Sequence, residues 1–406
     1  MHTIKKSMNP QKINIHDPKN VKSQSILIVD PQVDGHHLTW IRYVTTIFLN
    51  HNFHVTLMTD LRDQSRPLIE DAIADKLNDI CLISAFNENG HYRGGNCLNS
   101  ISLAQKQTPS NHIFMNELDL VASTCLRKTA IGFYPPKTIK GAVSGVYFRP
   151  RFLSEGKFSF SNMIKSIGFR KLCRNQWFKN IFLMDEQRID QIARYFPTVA
   201  FHLLPDPWDG DFSINQNDAR SALNLPDNRF ILLQFGIGTR RKGLHLVIEA
   251  MNTIPESSPV FLLCAGKLSI DSGLRDQLER LEKQNRAIIL DRYVSQQEEK
   301  LCFCAADTVL LPYVDHFGSS GVLSRAAASG KPVIASDYDL TGWRVHQYEL
   351  GLIFQSNDSN HLRSTINIMA SMDERQRNEF HHNALTFAQS CSLDAFERAL
   401  VEPFNS

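Results

Sequence analysis

Short apolar runs alternate with amphipathic stretches along most of the chain. SILIVD (Ser25–Asp30) leads through a polar loop, Pro31–His37, into Leu38, Ile41, Val44, Ile47 and Phe48 at helical spacing. HVTLMTD (His54–Asp60) then reads as a second strand, and strand, helix, strand in this order is a βαβ unit. ICLIS (Ile80–Ser84), HIFMNEL (His112–Leu118), IKGAVSGVYF (Ile139–Phe148) and NIFLMD (Asn180–Asp185) continue the series. HLLPDPWD (His202–Asp209) breaks it, because its two prolines fit neither a helix interior nor a central strand. A second series starts at FILLQFGIG (Phe230–Gly238) and runs through a helix at Leu244–Met251, VFLLCAG (Val260–Gly266), a helix at Ser272–Gln284 and AIILDRYV (Ala287–Val294). Ser295 and Glu298 have the spacing of a capping box. TVLLPY (Thr308–Tyr313), a helix from Ser319 to Ser329, PVIAS (Pro332–Ser336), GLIF (Gly351–Phe354) and two terminal helices complete the pattern.

The expected architecture is α/β, with two doubly wound, Rossmann-like domains facing a central cleft. Its parts are a polar extension (1–24), an N-terminal domain (25–203), a C-terminal domain (204–385) and a last helix (386–406) returning to the N-terminal domain. A length of 406 residues suits two cores better than one, and 42% hydrophobic with 21% charged residues excludes wholesale disorder. No run approaches the ~20 apolar residues of a membrane span. The first 24 residues lack the apolar core of a signal peptide, and eight scattered cysteines include no CxxC pair. A cytoplasmic protein without a zinc site or a disulfide framework is the expectation.

Charge changes this picture locally. Lys137–Lys179 holds ten basic residues against Glu155, so it carries +9 of a net +2 and leaves −7 elsewhere. With Phe148, Phe152, Phe158, Phe160, Phe169, Trp177 and Phe178 interleaved, the block is either a solvated face over core aromatics or a contact for an anionic membrane surface. Peripheral attachment at the inner face of a membrane would follow from the second reading. Nucleic acid is not expected as a partner, since the surrounding negative charge repels it and no nucleic-acid motif is present.

Two strand-to-helix turns carry the candidate chemistry. Gly236-Ile237-Gly238-Thr239-Arg240-Arg241-Lys242-Gly243 gathers three cations where helix-terminal amides point outward, an arrangement suited to a diphosphate. It matches neither the Walker pattern nor GxGxxG. By itself such a turn equally describes a solvated helix start. The second turn, Asp315-His316-Phe317-Gly318-Ser319-Ser320-Gly321, lets backbone amides approach an anion and offers two hydroxyls. Two such turns in one domain point to a nucleotide diphosphate. In the N-terminal half, Asp34-Gly35-His36-His37 follows the first strand, where His36 or His37 can donate to phosphate or to an acceptor hydroxyl. Glu117 and Asp119 follow the HIFMNEL strand and are candidates to bind acceptor hydroxyls or, equally, solvated carboxylates at a helix start.

The order of these features resembles glycosyltransferase family 4, retaining enzymes of the GT-B fold. The carrying residues are RRKGLHLVIEAM (Arg240–Met251), HFGSSGVLSRAAASGKPVIASD (His316–Asp337) and ELGLIF (Glu349–Phe354), with DGHHLTWIRYVTTIF (Asp34–Phe48) and LPDPWD (Leu204–Asp209) in support. The resemblance implies transfer of a sugar from a UDP- or GDP-sugar to a glycan or lipid-linked acceptor in polysaccharide or glycoconjugate assembly, with no metal and no cofactor beyond the donor. Lys242 would bind the donor diphosphate with Arg240 or Arg241, and the amides of Ser319, Ser320 and Gly321 would hold its distal phosphate. Gly238 and Gly318 would shape the turns, and Tyr293 would lie near the base. The sequence departs from the family at two positions. Counting back from Gly330-Lys331-Pro332, Phe317 and Arg325 stand where the family has two glutamates. That departure implies a donor site using Asp315, His316 and Arg325, or a catalytically silent partner subunit. A nucleotide-sugar epimerase on the same scaffold is the other alternative.

Overall fold

The structure, a computed structural model, describes residues 24–34, 36–153 and 159–405. The expected N-terminal extension, apart from Gln24, lies outside them. The N-terminal sheet contains β1 (Ser25–Val29), β2 (His54–Thr59), β3 (Ile80–Ser84), β4 (His112–Met115), β5 (Val143–Tyr147), β6 (Phe178–Leu183) and β7 (Ala200–Leu203). They lie in the order β3-β2-β1-β4-β5-β6-β7, and every pair is parallel. The C-terminal sheet contains β8 (Phe230–Phe235), β9 (Val260–Ala265), β10 (Ala287–Leu290), β11 (Thr308–Leu311), β12 (Val333–Ser336) and β13 (Gly351–Phe354). Its order is β10-β9-β8-β11-β12-β13, again all parallel.

Helices cover both faces of each sheet, which explains why the strands read as unbroken apolar runs. In β1, Leu27 and Val29 enter the core on one face and Ile26 and Ile28 the core on the other. In β8, Ile231 and Leu233 face one way and Phe230 and Leu232 the opposite way. Each sheet reverses its winding where its first and fourth strands pair. The loops after β1 and β4, and those after β8 and β11, therefore open a crevice at each switch point.

Three local readings need correction. The break starts later than His202, since Ala200–Leu203 pairs with β6 before Pro205 interrupts. The fifth strand starts later than Ile139, because Lys137–Ile139 forms a 3₁₀ turn and Gly141 takes a φ of 76°. Three helices, not two, follow β13: Ser359–Ser371, Glu374–Ser390 and Leu393–Val401. The last of them packs on the N-terminal domain through Phe396, edge-on to Trp40 at 5.2 Å, and the 3₁₀ turn Glu402–Phe404 that follows it sets Phe404 edge-on to Phe48 at 5.3 Å.

Charged pairs also join the domains. Arg344, buried, makes a two-pronged contact with Glu186 at 2.8 and 2.6 Å, and Arg188 reaches Asp339 at 2.6 Å. Arg42 pairs with Asp209 at 2.7 Å. Among the described residues no helix is long and apolar enough to cross a membrane.

Candidate active site

The two switch points face each other across a cleft of about 740 Å³. That volume lies in the range of small-molecule sites. Of the sequence candidates, His36, Glu117, Arg241, Lys242, Tyr293, Ser319, Gly321 and Arg325 line it.

On the C-terminal side the helix Leu244–Thr253 starts at Gly243, whose φ is 73°. A Cβ at Gly243 would stand 1.7 Å from the Pro312 carbonyl, so glycine lets the turn after β8 lie on the turn after β11. Lys242 crosses that contact, with its Nζ 3.0 Å from the Tyr313 hydroxyl and 4.2 Å from its ring centroid. His316 buckles the two turns together. Its Nδ1 accepts from Arg241, and its Nε2–H donates to the Ser319 carbonyl at 3.0 Å. Burial and the nearby Lys242 charge push its pKa down to about 3, so the ring stays neutral, as this pairing requires.

The serines differ from expectation, because both hydroxyls are already engaged. Ser319 donates to Asp206 at 2.7 Å and accepts from Arg344 at 2.6 Å, while Ser320 pairs with Tyr313 at 2.8 Å. Gly318 gives its N–H to Asp339, and a Cβ there would stand 2.6 Å from the Phe148 carbonyl of the other domain. His316, Gly318 and Ser320 thus brace the turn from behind. What the turn offers is backbone. Among the described residues the amides of Ser319, Ser320, Gly321 and Val322 find no acceptor, and they open the helix Gly321–Ala328. Free amides at a helix start beside Lys242 and Arg241 have the donor chemistry that suits an anion.

Arg325 lines the cleft but is held, its Nε on Glu299 at 2.6 Å and its NH1 on the Gly321 carbonyl at 3.0 Å. Phe317 is buried, with the guanidinium groups of Arg151 and Arg188 5.5 and 5.4 Å from its ring centroid. Arg240 does not enter the cleft. It is exposed and pairs with Asp271 at 3.1 Å. Gly238 is also outside, exchanging backbone bonds with Lys267 and Ser269.

On the N-terminal side His36 is exposed at the cleft, yet protein crowds it enough to lower its pKa to about 4, with His37 and Arg149 adding to the effect. His37 lies one layer behind, buried, and stacks on His36 with centroids 4.4 Å apart. Its Nδ1 is 3.0 Å from Asp30, and its Nε2 is 3.5 Å from Glu117. Burial opposes charge on His37, but Asp30, Glu117 and Asp34 outweigh it and raise the pKa. Asn116 also donates to Asp30, at 3.0 Å. Burial and the Asp119 charge raise Glu117. Asp119 itself is structural, accepting the amides of Phe148 at 2.7 Å and Arg149 at 3.1 Å. Asp34 is exposed outside the cleft, and Gly35 lies outside the described residues.

Sequence reasoning missed Asp30, Asp206, Glu299, Tyr313 and Arg344. Asp30 and Tyr313 carry a signal, each ending an apolar strand at a switch point. Asp206 and Glu299 lie in a linker and a helix whose sequences read as ordinary connections.

Residues 215–386 match the family model "Glycosyl transferases group 1". A lipopolysaccharide core biosynthesis glycosyltransferase, LpsE, from Rhizobium meliloti (strain 1021) is 26% identical over 186 residues, 45% of this chain and 53% of that protein. An alpha-galactosylglucosyldiacylglycerol synthase from Streptococcus pneumoniae is 23% identical over 53% of this chain and 55% of its own length. This chain thus spans about half the length of these curated relatives. Among solved structures, Anabaena HepE, crystallised with UDP and glucose, superposes with a TM-score of 0.66 at 16% identity, covering 94% of this chain and 99% of that one. Residues 215–386 therefore match the group 1 glycosyl transferases, and the chain as a whole has the GT-B fold.

Proposed function

We propose that the protein transfers a glycosyl group from a UDP- or GDP-sugar to a hydroxyl of a glycan or lipid-linked acceptor, with retention and without a metal ion. The observation that carries this reading is the set of unpartnered amides at Ser319–Val322 beside Lys242 and Arg241. These donors suit a diphosphate that gains charge as it leaves. As the bond from the anomeric carbon to the phosphate oxygen breaks, the acceptor oxygen bonds to the same face. The acceptor proton passes to the departing phosphate oxygen. No protein nucleophile is needed. His36 and Glu117 stand across the cleft, where they orient the acceptor hydroxyl, and His37 with Asp30 positions them from behind. The names of the two curated relatives, one for lipopolysaccharide core and one for a glycolipid, support an acceptor in glycoconjugate assembly.

The test is incubation with a panel of UDP- and GDP-sugars crossed with oligosaccharide and glycolipid acceptors, with the anomeric configuration of the product read by NMR. A transfer product that keeps the donor configuration is expected. An inverted product overturns retention, and an epimerised donor assigns the scaffold to epimerisation. Phe317, in place of a family glutamate, favours a second reading as a silent binding subunit. Nucleotide binding without turnover on any donor would establish it.

A further inference from the structure

We propose that the helix pair Asp119–Ala130 and Phe160–Arg174 is a docking face for an anionic lipid bilayer. The helix Phe160–Arg174 buries Gly168, Phe169, Leu172 and Cys173. Its opposite, most exposed stripe reads Phe160, Met163, Ile167, Arg170, Arg174, at spacings of three and four residues. Phe160 is 69% exposed, Met163 40% and Ile167 44%. A solvent stripe should be polar, so three large apolar side chains followed by two arginines invert the usual pattern.

The neighbouring helix ends in the same way. Beyond Ala130, Ile131 is 74% exposed, Phe133 67% and Tyr134 46%. Gly168 makes the two helices one surface, since a Cβ there would stand 1.9 Å from the Leu126 carbonyl. Lys171 Nζ donates to the Ala130 carbonyl at 2.7 Å, and Arg127 reaches the Ser161 hydroxyl at 2.8 Å. A largely apolar groove of about 640 Å³ continues the surface beneath Ile131 and Phe133, lined by Leu98, Leu120, Val121 and Pro135 among others.

Charge identifies the occupant. From Leu120 to Met184 the chain holds twelve basic residues and one acid, Glu155. Three of the twelve are committed elsewhere: Arg149 lines the cleft, Arg151 bonds the Asp315 carbonyl, and Lys179 lies 3.4 Å from His112. Among the described residues the others, including Lys128, Lys165, Arg170, Lys171 and Arg174, pair with no carboxylate. Unneutralised cations among protruding aliphatic and aromatic groups match an anionic interface, where charge attracts and apolar tips insert. Nucleic acid offers nothing to Ile131, Met163 or Ile167. The consequence, that the acceptor is presented by the membrane, rests on the transferase reading; the docking itself does not.

The experiment is co-sedimentation of the full chain with phosphatidylcholine vesicles, with and without phosphatidylglycerol, at low and high salt. Wild type should pellet only with phosphatidylglycerol and be released by salt. Arg170→Ser with Arg174→Ser should weaken partitioning about tenfold or more. Phe160→Ser, Met163→Ser and Ile167→Ser together should abolish retention at moderate salt. All five positions are exposed, and thermal melting checks that the variants stay folded. Pelleting that ignores lipid charge, or that both variants retain in full, overturns the proposal. So does a wild type that stays in the supernatant at low salt, and dimerisation lost in the same variants would then assign the face to a second copy. No outcome depends on turnover, so failure here leaves the proposed reaction untouched.

Discussion

The two halves of the cleft are built by one topology and carry opposite chemistry. In each, a loop after the first strand and a loop after the fourth meet where the sheet changes direction. The C-terminal crevice gathers Lys242, Arg241 and unpartnered amides, all donors. The N-terminal crevice gathers Asp30, Glu117 and two histidines, mostly acceptors and groups that titrate. The fold therefore fixes where the two crevices lie, while a few side chains decide that one presents fixed donors and the other acceptors and titrating groups. Each half should fail in its own way when it is altered.

Lys242→Ala should have the largest effect. Loss of a charge-assisted phosphate contact costs ~1.5–3 kcal/mol, or roughly ten- to a hundredfold in donor affinity or turnover. The side chain lies at a surface turn against Tyr313, so the melting temperature should hardly move. Unchanged kinetics in a folded variant would remove Lys242 from the anion site.

His37→Gln should cost less, about tenfold, and should change the pH profile as well as the rate. The folded pKa of His37 is raised above 6.5. Its ionised contact with Asp30 therefore contributes stability that is fully present below pH 6.5 and is lost as pH rises through the folded value. The melting temperature of wild type should fall over that window, and in His37→Gln that fall should be absent. His36 offers a contrast, because a pKa near 4 keeps it neutral throughout and it cannot produce this limb. A wild-type limb that survives in His37→Gln would assign it to another group.

This contrast also marks what the sequence could reveal. Buried parallel strands are legible because residues such as Ile26 to Val29 are apolar on both faces, and strand order then places the candidate loops at the switch points. β7 is not legible, since four residues ahead of a proline resemble a linker. Within the site, Lys242 and the small residues of the second turn are visible as local patterns. The engagement of Ser319 and Ser320 is not, because their partners Asp206, Arg344 and Tyr313 come from distant segments or lie across the turn. Asp119 shows the same limit. Its position at a helix start suggests a free carboxylate, but the chain folds Phe148 and Arg149 back onto it.

Arg240 sharpens the comparison within the C-terminal half at single-residue scale. It lies two positions from Lys242 in the same turn, yet its exposed pair with Asp271 turns it away from the cleft. An exposed pair of this kind contributes ~0–1 kcal/mol. Arg240→Ala should therefore leave donor KM and kcat within about twofold of wild type, measured in parallel with Lys242→Ala. A loss as large as that of Lys242→Ala would mean that the turn rearranges when donor binds.

The smallest expected effect is that of a chelator. His36, His37 and Glu117 offer ligand atoms within 4.8 Å of one another, the one such group among the described residues. Proximity alone does not make a metal centre, because a nitrogen lone pair lies in the plane of its ring and must point at the ion from about 2 Å. The two imidazoles stack with planes only 27° apart, so their lone pairs run alongside one another instead of converging. His37 also has its Nδ1 committed to Asp30. If Lys242, Arg241 and backbone amides take up the diphosphate charge, as proposed, transfer should proceed at the same rate after EDTA treatment and desalting, with added Mg²⁺ or Mn²⁺ making no difference. Activity lost to EDTA and restored by either ion would overturn metal independence, and loss of that rescue in Glu117→Gln would place the ion among these three side chains.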